Sequence, residues 1–173
     1  MYAVGEFVVH EGSGICKIEE ISELALSGRG SEQTYYVMTP YYEKGSRVMT
    51  PVQNTSVRLR PVMTKDEVEN LISEMPEVTE ISEENDKQRL LKYKEALAAF
   101  EPIELVRIIK TVQRGKQKRL SAGKKILMGD ERYTQIAQKK LYEEIAFAME
   151  MEVKDVEGMI NEKIGAPESV EAG

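Results

Sequence analysis

The chain contains few of the residues on which metal, thiol and membrane chemistry depend. Its 173 residues include no tryptophan, one cysteine and one histidine. The single Cys16 excludes an internal disulfide, and together with the single His10 it leaves no His/Cys zinc site. No apolar run approaches the roughly 20 residues that cross a bilayer, and residues 1–9 lack the basic start and apolar core of a signal peptide. We therefore expect a cytoplasmic protein with no metal, no cofactor and no membrane partner.

The motifs of common catalytic sites are also missing. Gly12 and Gly14 stand in "EGSGICK", but no helix pattern follows them and the phosphate-loop sequence Gly-Lys-Ser/Thr is absent. This glycine pair predicts a hairpin turn. His10 has no nucleophile at a recognisable spacing, so we interpret it as a packing or surface residue. The sequence predicts no enzyme activity and no small-molecule substrate, and an enzyme with a β-barrel appendage is the weakest alternative.

Charge is unevenly distributed along the chain. The net charge is −6, which argues against a surface that coats nucleic acid all round. Residues 66–86, the acidic segment, hold nine Asp or Glu and no Lys or Arg. Residues 105–129, the basic segment, hold eight Lys or Arg and no Asp or Glu. Opposite charges can thus lie on different faces of one molecule, so an isoelectric point of about 5.1 does not exclude a polyanionic partner.

The first 60 or so residues show the pattern of short β-strands. β-branched and aromatic residues stand between Gly- and Ser-rich turns in "FVVH", "ICKIEEI", "TYYVM", "RVMTPV" and "SVRLR". Five such strands suit a small SH3-like or Tudor-like β-barrel, whose closure limits free strand edges. Pro51 is expected at a strand end or on an edge strand, because it cannot donate to a ladder.

Beyond Pro61 the apolar period changes to that of helices. Thr64 with acids after it predicts one helix start and Pro102 another, while Gly115 predicts a helix stop and Ser121 the cap of the next helix. The sequence therefore predicts an α+β protein of two domains. A small β domain covers 1–61, an all-α domain of about five helices covers 62–165, and a flexible tail covers 166–173.

Two groups of residues are candidates for binding. The first is "GSRVMTPV", where Arg47, Val48, Met49 and Pro51 follow a tyrosine-rich stretch. Arg, Met and aromatic residues anchor protein interfaces, although about half of these side chains must fill the core because strands alternate faces. The stretch predicts a protein-binding strand.

The second group is basic. Lys87, Arg89 and Lys92 fall on one predicted helix, and further cations crowd the basic segment, notably Lys116, Lys118, Arg119, Lys124 and Lys125. A solvated helix face is the usual interpretation of mixed charges, but these bases have no acid among them. Their repulsion is relieved by an anion, and Lys and Arg that grip phosphates release counterions. The pattern favours contact with a nucleic-acid backbone.

Taken in order, these stretches resemble the CarD family of bacterial transcription regulators. The resemblance rests on "VGEFVVHEGSGICKIEEI", "YYVM", "GSRVMTPV" and "SVRLRPVM", and then on "NDKQRLLKYKEAL", "ELVRIIKTV", "KQKRLSAGKK" and "DERYTQIAQKKLYEEIAFAM". It covers about residues 1–165. No single motif is diagnostic, but their order and spacing are specific.

The resemblance implies a mechanism for both groups. The N-terminal domain, shared with the transcription-repair coupling factor, would dock on the RNA polymerase β subunit through the strand of Arg47, Val48, Met49 and Pro51. The helical domain would lie on promoter DNA at the upstream edge of the −10 region and modulate open-complex stability. The DNA contacts would come from Lys87, Arg89, Lys92, Lys116, Lys118, Arg119, Lys124 and Lys125. The protein would then be associated with the nucleoid through the polymerase.

One departure from the family keeps an alternative open. Members of the family place a tryptophan near the start of the "NDKQRLLKYKEAL" helix, where it wedges into the minor groove. This chain has polar residues there, 82–86, and no tryptophan anywhere. The alternative is a polymerase-binding adaptor with little or no DNA contact, whose basic segment meets an acidic protein or the chain's own acidic segment.

Overall fold

The computed structural model describes residues 1–53 and 56–165. The chain divides into two compact units, Met1–Val62 and Met63–Gly173, which we call the β domain and the helical domain. The predicted class, a small β domain followed by a helical domain, is confirmed. The tail predicted at 166–173 lies outside the described residues.

The β domain is one antiparallel sheet. Its spatial order is β4-β3-β2-β1-β5, with strands β1 Phe7–His10, β2 Gly14–Leu24, β3 Gln33–Pro40, β4 Val48–Pro51 and β5 Leu59–Pro61. β4 and β5 are the two edges of this order, and Pro51 ends an edge strand as expected. Closure of the sheet into a barrel stays a prediction.

The core of the β domain follows from strand alternation. Val8 pairs with Cys16 across β1 and β2, and both side chains are fully buried with those of Ile18, Tyr36 and Met38. Burial raises the pKa of the Cys16 thiol to about 11, with a smaller contribution from the Glu43 carboxylate. A thiol held neutral in this way packs as a small apolar residue.

The glycine pair lies in the predicted hairpin turn, and His10 has a packing role there. The turn joins β1 to β2, whose last and first residues are His10 and Gly14. The His10 side chain is buried, and its Nδ1 accepts hydrogen bonds from the backbone N–H groups of Gly12 (3.0 Å) and Ser13 (2.9 Å). The imidazole therefore stabilises the turn from within.

Within residues 63–165, the described part of the helical domain, there are five α-helices and one short 3-10 turn. They are α1 Lys65–Glu74, the 3-10 turn Met75–Glu77, α2 Asp86–Ala98, α3 Pro102–Ser121, α4 Met128–Met149 and α5 Val153–Ile164. Thr64 caps α1 as predicted, since its hydroxyl accepts from the N–H of Glu67 while the Glu67 carboxylate accepts from the N–H of Thr64. Pro102 opens α3.

The predicted break within the basic segment is wrong. α3 continues through Gly115 to Ser121, so Ser121 ends one helix and does not cap the next. A single interior glycine costs only about 1 kcal/mol relative to alanine, which the packing of α3 overcomes. The helix stops at Ser121, and Gly123, two residues later, has a φ of +71°, which suits glycine. The N–H of Gly123 donates to Leu120 O (3.1 Å) and that of Lys124 to Arg119 O (2.8 Å), which together form a Schellman motif.

α3 and α4 form the centre of the helical core. Val106, Ile108 and Ile109 of α3 and Leu141 and Ile145 of α4 are all fully buried. The apolar faces of the other helices pack around them, contributing Val68, Leu71, Met75, Tyr93, Val156, Ile160 and Ile164. This core holds the second half of α3, which carries much of the basic segment, as a rigid extension.

Candidate functional site

The candidate protein-binding residues lie on the β4 edge of the sheet. Thr50 is buried and Val48 packs partly against the core, whereas Met49 is 41% exposed. Arg47 is exposed immediately before the strand, and Pro51 is half-buried at its end. Because side chains alternate between the two faces of the strand, Thr50 faces the core, while Met49 and the preceding Arg47 are exposed at the edge.

The neighbouring tyrosines divide in the same way. Tyr35 and Tyr36 are buried in β3, and the Tyr36 hydroxyl accepts a hydrogen bond from the N–H of Tyr2 (2.9 Å). Tyr41 is 49% exposed, and its ring centroid lies 6.0 Å from that of Phe7 and 4.9 Å from that of Tyr42. Only part of the tyrosine-rich stretch is therefore available to a partner.

The first half of the basic segment is bound by the chain itself. Lys110 is only 2% exposed, and its Nζ donates to Met75 O (3.0 Å) and Pro76 O (2.7 Å). It therefore satisfies carbonyl groups where α1 and the 3-10 turn end. One turn later the Arg114 guanidinium forms an ion pair of 2.5 Å with Glu80. The sequence pattern did not indicate either role, because both acceptors come from a distant part of the chain.

The second half of the basic segment faces solvent. Lys116, Lys118, Lys124 and Lys125 are exposed, and no carboxylate of the described residues pairs with them. Arg119 Nε donates to Lys125 O (2.7 Å). Together with the Schellman motif, this bond folds the chain after Gly123 back onto the end of the helix. We call Lys116, Lys118, Arg119, Lys124 and Lys125 the basic tip.

The basic tip also has a structural effect. Lys118 and Arg119 lie in the last turn of α3, where cations interact favourably with the partial negative charge of the helix end. This interaction is small, typically about 0.3–1 kcal/mol for an exposed residue. It does not balance five cations on one helix end and its loop, so the tip keeps a net positive charge.

Arg89 differs from the cations of the basic tip because it is held in a largely buried ion pair. Its Nε and Nη2 donate to the two carboxylate oxygens of Asp130, at 2.9 and 2.7 Å. The Tyr93 hydroxyl donates to the same carboxylate (2.8 Å), and Asp86 contacts the guanidinium at 3.1 Å. The hydrogen bond to Asp130 raises the pKa of Arg89, while burial and then the bond to Asp130 raise that of Tyr93. This cluster joins α2 to α4.

The α2–α4 contact is also sterically tight. A Cβ atom at Gly129 would lie 2.8 Å from Leu90 Cδ2, so the start of α4 approaches α2 more closely than a larger residue allows. Asp130 follows directly. The role of Asp130 was not found from the sequence, whose only signal for it was the return of acids, Asp130 and Glu131, after a long run of bases.

The remaining candidate cations lie on α2. Lys87 is exposed, and Lys92 Nζ lies 3.7 Å from the Glu83 carboxylate. A groove of about 410 Å³ lies between residues 80–86 and the last turns of α3, and it is lined by Lys116, Lys118 and Arg119 on the α3 side. The structure thus joins three members of the basic tip to one groove, while Lys87 and Lys92 do not line it.

Across residues 1–53 and 56–165, His, Cys, Asp and Glu form no cluster of three or more that could hold a metal ion. In the same residues no helix combines the length and the apolar composition of a membrane span.

The N-terminal part of the chain is similar to a known domain family. The family model of the CarD-like/TRCF RID domain matches residues 2–63, which is nearly the whole β domain. A comparison with curated proteins gave no match to the chain. The similarity concerns the β domain, so the helical domain is interpreted from its own geometry.

Proposed function

We propose that the chain, whose residues 2–63 match the CarD-like/TRCF RID domain, binds RNA polymerase through its β domain and regulates transcription from there. It docks on the polymerase β subunit through the β4 edge and contacts promoter DNA through the basic tip. In this way it modulates the stability of the open complex. The observation that carries the proposal is that a matched polymerase-interacting domain and an unneutralised basic helix end occur in one chain.

The β4 edge supports the docking half of the proposal. An edge strand offers backbone groups on which an extended partner segment can add a strand, and side chains at the edge then give specificity. Met49 and Arg47 are the residue types that anchor interfaces, and both are exposed here. β4 has only β3 beside it in the described sheet.

Charge reversal at the edge tests the docking half. We expect Arg47→Glu to reduce binding to the isolated β subunit by about tenfold or more, because anchor residues typically contribute about 2 kcal/mol or more. Arg29→Glu is the matched control, since Arg29 is an exposed arginine of the β2–β3 loop. Equal binding by Arg47→Glu and Arg29→Glu, measured by calorimetry on folded proteins, would refute the β4 assignment.

The basic tip supports the DNA half of the proposal. Its lysines stand on a helix end and a bonded loop, so the backbone that carries them need not become ordered when they meet phosphate. Each phosphate contact contributes about −0.9 to the slope of log affinity against log salt. A factor that binds one promoter state more tightly than another shifts the equilibrium between them.

The test of the DNA half uses polymerase holoenzyme on a fork-junction promoter DNA. We expect wild-type protein to change the stability of this complex and Lys116→Glu/Lys118→Glu to abolish the change while β-subunit binding persists. Lys154→Glu/Lys163→Glu is the control, because these exposed lysines lie on α5 and the change in net charge is the same. Loss of the effect in both variants, or in neither, contradicts a contact at the tip.

A polymerase-binding adaptor is the second candidate function. It is favoured by the contacts of Glu80 with Arg114 and Glu83 with Lys92, in which the acidic segment already occupies part of the basic surface. An adaptor would show DNA affinity that is absent or nearly independent of salt, even with polymerase present. A salt slope of several units excludes it.

A further inference from the structure

The segment 78–85, which connects the 3-10 turn to α2, runs along one face of α3. Thr79 O accepts from Arg107 Nε (3.1 Å), and the Ile81 N–H donates to Thr111 Oγ1 (2.9 Å). Glu80 pairs with Arg114. Positions 107, 111 and 114 are spaced by four and three residues, so they form one stripe along the helix. Ile81 is itself buried, which fixes the segment independently of its charges.

Continuation of this stripe leads into the basic tip. The next position along it is Lys118, one turn beyond Arg114. Both residues line the groove of about 410 Å³, together with Lys116 and Arg119. The lining outside α3 includes four acids, Glu80, Glu83, Glu84 and Asp86, together with Arg89, which is paired with Asp130. An anionic strand that approaches the α3 wall therefore meets carboxylates from the same molecule.

We propose that Glu80 and Glu83 compete with DNA phosphate for two cations, Arg114 on the groove wall and Lys92 outside it, and so determine how selectively the helical domain binds DNA. The inference rests on the proposed DNA contact and adds a specificity-determining element to it. A phosphate that binds Arg114 or Lys92 must displace a carboxylate that is already within ion-pair distance. The displaced carboxylate takes up a cation from solution, which cancels the counterion release that normally drives phosphate binding.

The consequence is low affinity for DNA that is free in solution. Cations without an internal carboxylate, such as those of the basic tip, contribute fully to binding. DNA held beside the protein by a polymerase has a high effective concentration, so a few contacts suffice there. The acidic segment thus disfavours non-specific binding and leaves polymerase-bound promoter DNA as the favoured target.

The direct test removes the two carboxylates and keeps their shape. Glu80→Gln/Glu83→Gln is compared with the full-length wild-type protein by fluorescence anisotropy on a random-sequence duplex across a salt series. We expect binding at low salt to tighten about threefold to tenfold, and the salt slope to steepen by roughly 1.8, that is about 0.9 for each freed cation. Glu69→Gln/Glu74→Gln is the control, since these exposed acids of α1 do not line the groove and give the same change in net charge.

The inference is overturned if the groove variant and the α1 control bind DNA equally well with equal slopes. A second variant keeps it testable should Glu80→Gln/Glu83→Gln fold poorly. Glu80→Gln/Arg114→Gln, which removes both charges of the pair, should leave wild-type DNA affinity unchanged within about twofold, because Arg114 is already neutralised by Glu80. A marked loss of affinity in this double variant would show that the arginine is available to phosphate, contrary to the proposal.

The two proposals fail in distinguishable ways. If neither wild type nor any variant binds DNA at low salt, both the DNA contact and the competition are wrong. If Lys116→Glu/Lys118→Glu weakens binding while the groove variant behaves like its control, the DNA contact stands and only the competition is wrong.

Discussion

Lys110 and Lys118 stand two helical turns apart on α3, yet the molecule uses them in opposite ways. Lys110 is buried and donates to two backbone carbonyls, whereas Lys118 is exposed on the groove wall. Arg89 resembles Lys110, because its guanidinium is held between Asp130 and Asp86. We call Arg89, Lys110 and Arg114 the anchored cations, in contrast to the basic tip. A run of like charges in the sequence therefore does not form one surface, since the acceptors around each cation decide whether it is buried or exposed.

The largest loss of stability is expected when the Arg89–Asp130 ion pair is broken. Asp130→Ala should lower the free energy of unfolding by about 3 kcal/mol, because it leaves a largely buried guanidinium and the Tyr93 hydroxyl without their carboxylate. Asp86→Ala is the control, since that carboxylate contacts the same guanidinium but is mostly exposed, and it should cost less than about 1 kcal/mol. If urea denaturation showed equal losses of unfolding free energy for Asp130→Ala and Asp86→Ala, Arg89 would not be an anchored cation.

Lys110→Met should have the next largest effect. It keeps the length of the side chain but leaves carbonyl oxygens of Met75 and Pro76 without their charged donor, so we expect a loss of about 2 kcal/mol. The matched substitution Lys118→Met in the basic tip should change the unfolding free energy by less than about 0.5 kcal/mol. If thermal unfolding shows the same loss for both, the contrast between the two halves of α3 is wrong.

The contact of Tyr93 with Asp130 and Arg89 predicts that the free energy of unfolding falls at alkaline pH. The folded-state pKa of Tyr93 lies above the ordinary value of 10.0, so the stabilisation that depends on its neutral hydroxyl is complete below about pH 10 and is lost as pH rises further. In that range the free energy of unfolding falls by at most about 1.4 kcal/mol per pH unit. Tyr93→Phe should remove this slope and Tyr41→Phe, at an exposed tyrosine, should not. Identical pH profiles for the two variants would contradict the assignment.

The smallest effect is expected at the boundary between the two groups. Arg114 and Glu80 are both partly exposed, so Arg114→Gln should cost only about 0.5 kcal/mol. Lys116→Gln, the nearest member of the basic tip, should cost nothing measurable while weakening DNA binding. One variant therefore changes stability and the other changes DNA binding. If Lys116→Gln destabilised the protein as much as Arg114→Gln, Lys116 would belong with the anchored cations and not with the basic tip.

Much of the fold could be predicted from local pattern. The strand stretches, the capping box at Thr64 and the helix start at Pro102 all depend on neighbours within a few residues, which is why the sequence indicates them. The stop at Gly115 was wrong because the free energy of a helix is summed over its packing as well as its propensities. α3 instead stops at Ser121, because Gly123 just beyond it takes a backbone conformation with positive φ.

The candidate site was predictable only as a region. The sequence showed that residues 105–129 are basic without acids among them, but not that Lys110 and Arg114 are bound to the chain itself. Their partners, Met75, Pro76 and Glu80, lie more than 30 positions earlier. No periodicity within the basic segment carries information about them.

By itself, then, the sequence determined the order of strands and helices, the sign of charge in each segment and the resemblance to a polymerase-interacting family. These properties are local or additive along the chain. Tertiary structure alone decided which cations are anchored and which form the basic tip, because ion pairing and desolvation depend on distance and burial. The same lysine side chain is a structural donor at position 110 and a candidate phosphate contact at position 118 for that reason.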